Sequence, residues 1–133
     1  MRPGGGRGKG AQYERELALE LRDMGVPGAK RGLGQARGAE VPDVDIPGVW
    51  LEAKRGIRSA PLPKAYAQAL RDCEGTGRIP IAVRRLDRQR GVARLRLCDL
   101  QALGCDPHQQ VEVAWDDLAP LVARYAQAQG GGE

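Results

Sequence analysis

Apolar residues along the chain change period several times, and each period predicts an element. Tyr13, Leu17, Leu21 and Met24 recur at helical spacing, so residues 12–24 are expected to form a helix that Gly25 stops. On that wheel Glu14 lies at the edge of the apolar stripe, about 60° from Leu17, while Glu16 points further out and Glu20 sits on the other edge. Residues 26–39 mix glycines and cations without a period, which suits a loop or short strand. Two short runs follow, 41–46 and 49–53, separated by Pro47-Gly48. A two-residue connection containing Gly predicts a β-hairpin, and Pro at its first position favours a type II turn. Residues 63–73 read as a second helix ended by Gly75 and Gly77. Residues 79–86 and 92–97 read as two strands around a polar turn. A last helix is expected over 115–128, with Asp116 near its N-terminus and Pro120 in its first turn. This order implies the α/β class, an α+β mixed sheet flanked by helices, as one domain over residues 10–129. Residues 1–9 and 130–133 are expected to be flexible tails, the first of them basic.

The hairpin carries the most information. With Pro47-Gly48 as the turn, Ile46 faces Val49, Asp45 faces Trp50, Val44 faces Leu51 and Asp43 faces Glu52. Opposed residues share a face. Val44, Ile46, Val49, Leu51 and Ala53 then make a wholly apolar face, and Asp43, Asp45, Trp50, Glu52 and Lys54 make a polar one. A slip of one residue would bury the charges, so the register is well specified. Asp43 and Glu52 become directly opposed like charges, an arrangement that destabilises a strand pair unless a cation lies between them. Mg²⁺ takes carboxylate oxygens and needs only one or two from protein. The alternative is an ordinary amphipathic hairpin with a solvated face.

Composition adds direction. The net charge is +4 at a pI near 9.2, with Arg and Lys gathered in the first residues, in residues 30–37 and in residues 84–96. That layout fits a polyanionic partner, and it fits an Arg-rich composition equally well. Aromatic residues make up 4% and Phe is absent, so Leu, Val, Ile and Ala must form the core. Three cysteines without a CxxC pair point to reduced thiols. Cys98, Cys105 and His108 lack the fourth ligand of a zinc site. His108, the only histidine, is expected at the surface. No apolar run reaches transmembrane length, which predicts a cytoplasmic protein without membrane contact. The glycine-rich segments 4–10 and 32–38 do not join a strand to a helix, so a nucleotide-binding loop is not indicated.

Pro42-Asp43, a short gap and Glu52-Ala53-Lys54 resemble the signature of the PD-(D/E)xK nuclease superfamily. Lys9-Gly10 through Tyr13-Glu14-Arg15-Glu16-Leu17 resembles the opening helix of archaeal and phage Holliday-junction resolvases. The resemblance spans roughly residues 9–100. It implies a restriction-endonuclease-like nuclease fold in which a helix supplies a Glu to a hairpin bearing the Asp and the ExK. It implies catalytic roles for Glu14, Asp43, Glu52 and Lys54, with Asp43, Glu52 and the Ala53 carbonyl as ligands of Mg²⁺, for which Mn²⁺ can substitute. Lys9, Arg15, Lys30, Arg31, Arg37, Arg55, Gln68 and Arg84 are the expected DNA contacts. The hairpin is shorter than in the archaeal enzymes, so Asp45 competes with Asp43 for metal. The segment before Pro42 has Gly34-Gln35 but no Ser, so no catalytic hydroxyl carries over. Trp50 is expected to cover the carboxylates rather than stack on a base.

The function so implied is a metal-dependent, structure-selective DNA endonuclease that resolves four-way junctions as a homodimer, in a bacterial or phage-infected cell. Its rivals are another nuclease of the superfamily, acting in repair, restriction or phage DNA processing, and a non-catalytic nucleic-acid-binding protein.

Overall fold

The computed structural model describes residues 5–32, 41–105, 108, 110–113 and 115–130, with side chains from Lys9 onward except at 116 and 118. They fall into two compact units, Met1–Ala102 and Leu103–Glu133. The first holds helix α1 (Gly5–Asp23), strands β1 (Lys30–Arg31), β2 (Val44–Ile46) and β3 (Val49–Gly56), helix α2 (Leu62–Asp72), strands β4 (Ile79–Leu86) and β5 (Val92–Arg94), and helix α3 (Leu97–Ala102). The second holds helix α4 (Trp115–Gly130). Among the described residues no helix is long and apolar enough to cross a membrane.

The sheet is mixed, as the order of elements predicts. Its strands lie in the order β1-β2-β3-β4-β5, antiparallel except where β3 runs parallel to β4. Helix α2 makes that parallel crossover. The hairpin register is the expected one, with Val44 opposite Leu51, Asp45 opposite Trp50 and Ile46 opposite Val49. Gly48 adopts φ +78°, the positive value that the third position of a type II turn requires.

Helix α1 packs on the apolar face, where Ala18, Val44 and Leu51 are buried with Leu17, Leu21, Ile46, Val49, Ile81 and Val83 against them. The polar face is covered as well, because α2 closes over it. Trp50 packs on Ala69 and Cys73, and Ala82 packs on Leu62 and Ala65. Trp50 and Glu52 are consequently buried, where a lone antiparallel hairpin would leave them wet.

Three boundaries differ from expectation. Helix α1 begins at Gly5 rather than near residue 12, and Lys9 in this extension is held by an ion pair to Asp87. Strand β5 stops at Arg94, and α3 takes over at Leu97, its first turn fixed by Arg96 binding Asp99 at 3.0 Å. Pro120 is the sixth residue of α4, one turn deeper than expected.

Candidate active site

The β2–β3 ladder ends at Val44 and Leu51, while β3 runs on to Gly56. Beyond that point a side chain replaces the missing backbone partner: Ala53 N–H donates to Asp43 Oδ2 at 2.9 Å. The Asp43 carbonyl in turn accepts from Gly32 N–H at 3.0 Å. Asp43 is thus fixed from both sides, and its side chain is buried. A Cβ at Gly32 would come within 1.9 Å of the Pro42 carbonyl oxygen, so only glycine allows the chain to pass this close.

Glu52 is 2% exposed. Trp50, two residues earlier on the same face, donates its indole N–H to Glu52 Oε1 at 2.9 Å. Burial, a hydrogen bond with Asp43 and the Asp43 charge push the Glu52 carboxyl up to about 8, against the opposing pull of Trp50 and Lys54. A raised pKa is the response expected of a carboxyl group held beside a like charge and away from water. The expected proximity of Asp43 and Glu52 is present.

Lys54 follows on the same face and is half-buried. In the parallel register Lys54 lies beside Arg84, as Glu52 lies beside Ala82. The strand alternation that sends Arg84 and Arg85 to opposite faces therefore holds, and it sets Arg84 beside Lys54 on the carboxylate face. Glu14 reaches the site from α1. Burial raises its pKa, Arg31 binds it at 3.0 Å, and it feels the charges of Asp43 and Lys54.

The remaining sequence-predicted residues divide. Asp45 is held by Arg78 at 3.2 Å, which removes it from competition with Asp43. Ala53 donates its N–H to the Asp43 carboxylate. Arg31 pairs with Glu14, and Lys9 and Arg55 pair with Asp87. Arg15, Lys30 and Gln68 are exposed, so Gln68 does not sit among the buried carboxylates. Arg37 and Gly34-Gln35 lie outside the described residues. The roles of Arg78 as a clamp on Asp45 and of Gly32 as a close-approach residue were not anticipated. Trp50 was expected only as a cover, yet alternation already placed its N–H on the Glu52 face.

The donor set suits a hard divalent cation. Each carboxylate has one oxygen anchored by the protein, Asp43 Oδ2 by a backbone amide and Glu52 Oε1 by an indole. A cation bound between the two groups would offset the repulsion that raises the Glu52 pKa. Among the described residues no group of three or more His, Cys, Asp or Glu side chains forms a metal cage.

No protein-family model matches the chain, and no curated protein matches it. Among solved structures, the chain is similar to Archaeoglobus fulgidus Hjc, a Holliday junction resolvase from an archaeal hyperthermophile. The TM-score is 0.45 at 20% identity, over 63% of this chain and 73% of that one.

Proposed function

We propose that this protein is a divalent-metal-dependent nuclease, and more specifically an endonuclease that cuts branched DNA such as the four-way junction. One observation carries the reading: two buried carboxylates, Asp43 and Glu52, meet within hydrogen-bonding reach on one face of the hairpin, with Lys54 following Glu52 on that face. Burying a carboxylate pair is costly, and a fold gains from it when a cation binds there. The superfamily signature in residues 42–54 and the Lys9–Leu17 segment direct the reading to DNA and to junctions.

Asp43 and Glu52 would hold the cation, with the Ala53 carbonyl as a further ligand. A bound Mg²⁺ supplies Lewis acidity toward phosphoryl oxygens and a more acidic water. Lys54 orients the attacking water or offsets charge on the phosphate. Arg84, one strand over, holds a non-bridging phosphate oxygen in its planar fork. Trp50 keeps Glu52 in one rotamer through its indole N–H. Glu14 stands at the margin, its charge balanced by Arg31, and would position the hydrated cation.

The test is cleavage of labelled four-way junction, flap and linear duplex DNA by wild type and Glu52→Gln, with Mg²⁺ and with EDTA. Wild type should cut only with the metal. Glu52→Gln should lose at least 100-fold in rate, roughly the scale of removing a principal catalytic group. It should retain or tighten DNA binding, because a negative charge near phosphate is gone. Near-normal cleavage by Glu52→Gln would overturn the site. Preference for flap or linear DNA would move the reading to another nuclease of the superfamily.

A further inference from the structure

A second charged recess lies on the other side of the sheet. Arg55 follows Lys54 on β3 and therefore points to the α1 face, where the parallel register sets it beside Arg85 of β4. With Lys9, Gln12, Tyr13 and Glu16 of α1, these two arginines line a cavity of about 190 Å³. None of the Asp43, Glu52 or Lys54 side chains borders it. We infer that this cavity binds a backbone phosphate of nucleic acid, at a point separate from the carboxylate site. The inference deepens the proposed function and rests on it only for the identity of the polyanion.

Two of the lining cations already meet at an anion beside the cavity. Lys9 Nζ and Arg55 Nη2 converge on the same oxygen, Asp87 Oδ1, at 3.0 and 2.6 Å. Two cationic donors meeting at one oxyanion point is the arrangement that takes a phosphate oxygen. Asp87 stands in a turn with its side chain 36% exposed, so a phosphate arriving from solvent can replace or join it. Arg85 is more weakly engaged. It meets Glu16 at 3.8 Å, with both side chains about half exposed, a pairing worth little. Arg55 and Arg85 are also like charges on adjacent strands, and an anion between them relieves their repulsion. Glu16 and Asp87 oppose an anion, but the three cations leave one positive charge in excess.

The surroundings favour a polymer over a free ion. Arg88 and Arg90 are exposed in the turn that follows Asp87 and continue the positive surface away from the cavity. A polyanion gains from such an extension, whereas a single phosphate cannot reach it.

The experiment uses the full chain in a Glu52→Gln background, so that DNA is not cut, with polarisation of labelled duplex and four-way junction over a salt series. Adding Arg85→Gln should weaken binding about threefold to tenfold at ~0.1 M salt and lower the salt slope by about 1. Adding Glu16→Gln should strengthen binding. Arg71→Gln, an exposed cation on α2, controls for bulk charge, and thermal melts verify that each variant folds. If Arg85→Gln moves affinity no more than Arg71→Gln, the site is overturned. Saturable one-to-one binding of inorganic phosphate, with DNA affinity indifferent to Arg85→Gln, also overturns it by making the cavity a free-phosphate site. An Arg85 effect on DNA binding in a protein that never cleaves would sink the nuclease reading alone, and normal cleavage with a silent Arg85 would sink this one alone.

Discussion

At the scale of single residues, Glu52 makes a signed prediction. An unfolded Glu loses its proton near the ordinary value of 4.5, whereas in the fold Glu52 keeps its proton up to about 8. Between those limits the unfolded state binds fewer protons, so the metal-free protein loses stability as pH rises through the window, with no further loss above it. The melting temperature of metal-free protein should fall from pH 5 to pH 8, and Glu52→Gln should remove much of that slope. Mg²⁺ at pH 8 should raise the melting temperature of wild type and leave Glu52→Gln almost unmoved, since a ligand stabilises only the state that binds it. Equal slopes for the two proteins would mean that Glu52 titrates as an ordinary surface carboxyl. Tyr66 makes a second prediction. Its hydroxyl is buried and has no hydrogen-bond partner among the described residues. Tyr66→Phe should therefore be neutral or stabilising by up to ~1 kcal/mol, read from denaturant melts, because an unsatisfied polar group is costly. Lys54→Ala should reduce cleavage severely and leave the fold intact, since Lys54 is half-buried at the margin of the core.

At the scale of elements, the hairpin was legible because one register alone sorts its residues by polarity, and that register is observed. Asp43, Glu52 and Lys54 were legible with it. The cover over that face was not, because only the packing of α2 decides that Trp50 and Glu52 become buried rather than solvated. Helix α3 was missed for a different reason: Ala93, Leu95 and Leu97 alternate with Arg94 and Arg96 as a strand would, and the Arg96–Asp99 pair that starts a helix there is a local contact without periodicity. The start of α1 was misjudged because glycine costs about 1 kcal/mol in a helix, and the long-range pair of Lys9 with Asp87 does not show in local pattern. Gly32 could be seen only as one glycine among many. In the structure it is the residue that lets β1 run against Pro42-Asp43. Gly32→Ala should push Pro42 away, misplace Asp43 and reduce Mg²⁺-dependent cleavage at least tenfold, while an alanine at Gly28, where a Cβ meets nothing within 4 Å, should be tolerated. Equal activity of the two variants would show that the approach at Gly32 is relaxed in solution.

At the scale of the whole molecule, the junction-cutting proposal requires more than one chain. Resolving a four-way junction takes paired cuts on two strands, and the described residues carry one candidate carboxylate site, in the first compact unit. Two sites then require two copies, most simply related by a two-fold axis. The chain offers apolar surface for such an association: Trp115, Val122 and Tyr125 of α4 are 64%, 46% and 70% exposed, and Leu121 is 37% exposed. Exposed apolar residues at this helical spacing commonly mark a contact surface. The measurement is light scattering at micromolar concentration, with and without junction DNA, on the Glu52→Gln protein so that the substrate survives. The expected mass is that of a dimer in at least the DNA-bound state. Trp115→Ser with Tyr125→Ser tests whether α4 supplies the interface, and should lower the dimer fraction if it does. A dimer that survives both substitutions would relocate the interface without touching the stoichiometric requirement. A monomer with and without junction would defeat paired cutting, leaving the carboxylate site to serve a nicking or repair nuclease that makes one cut at a time.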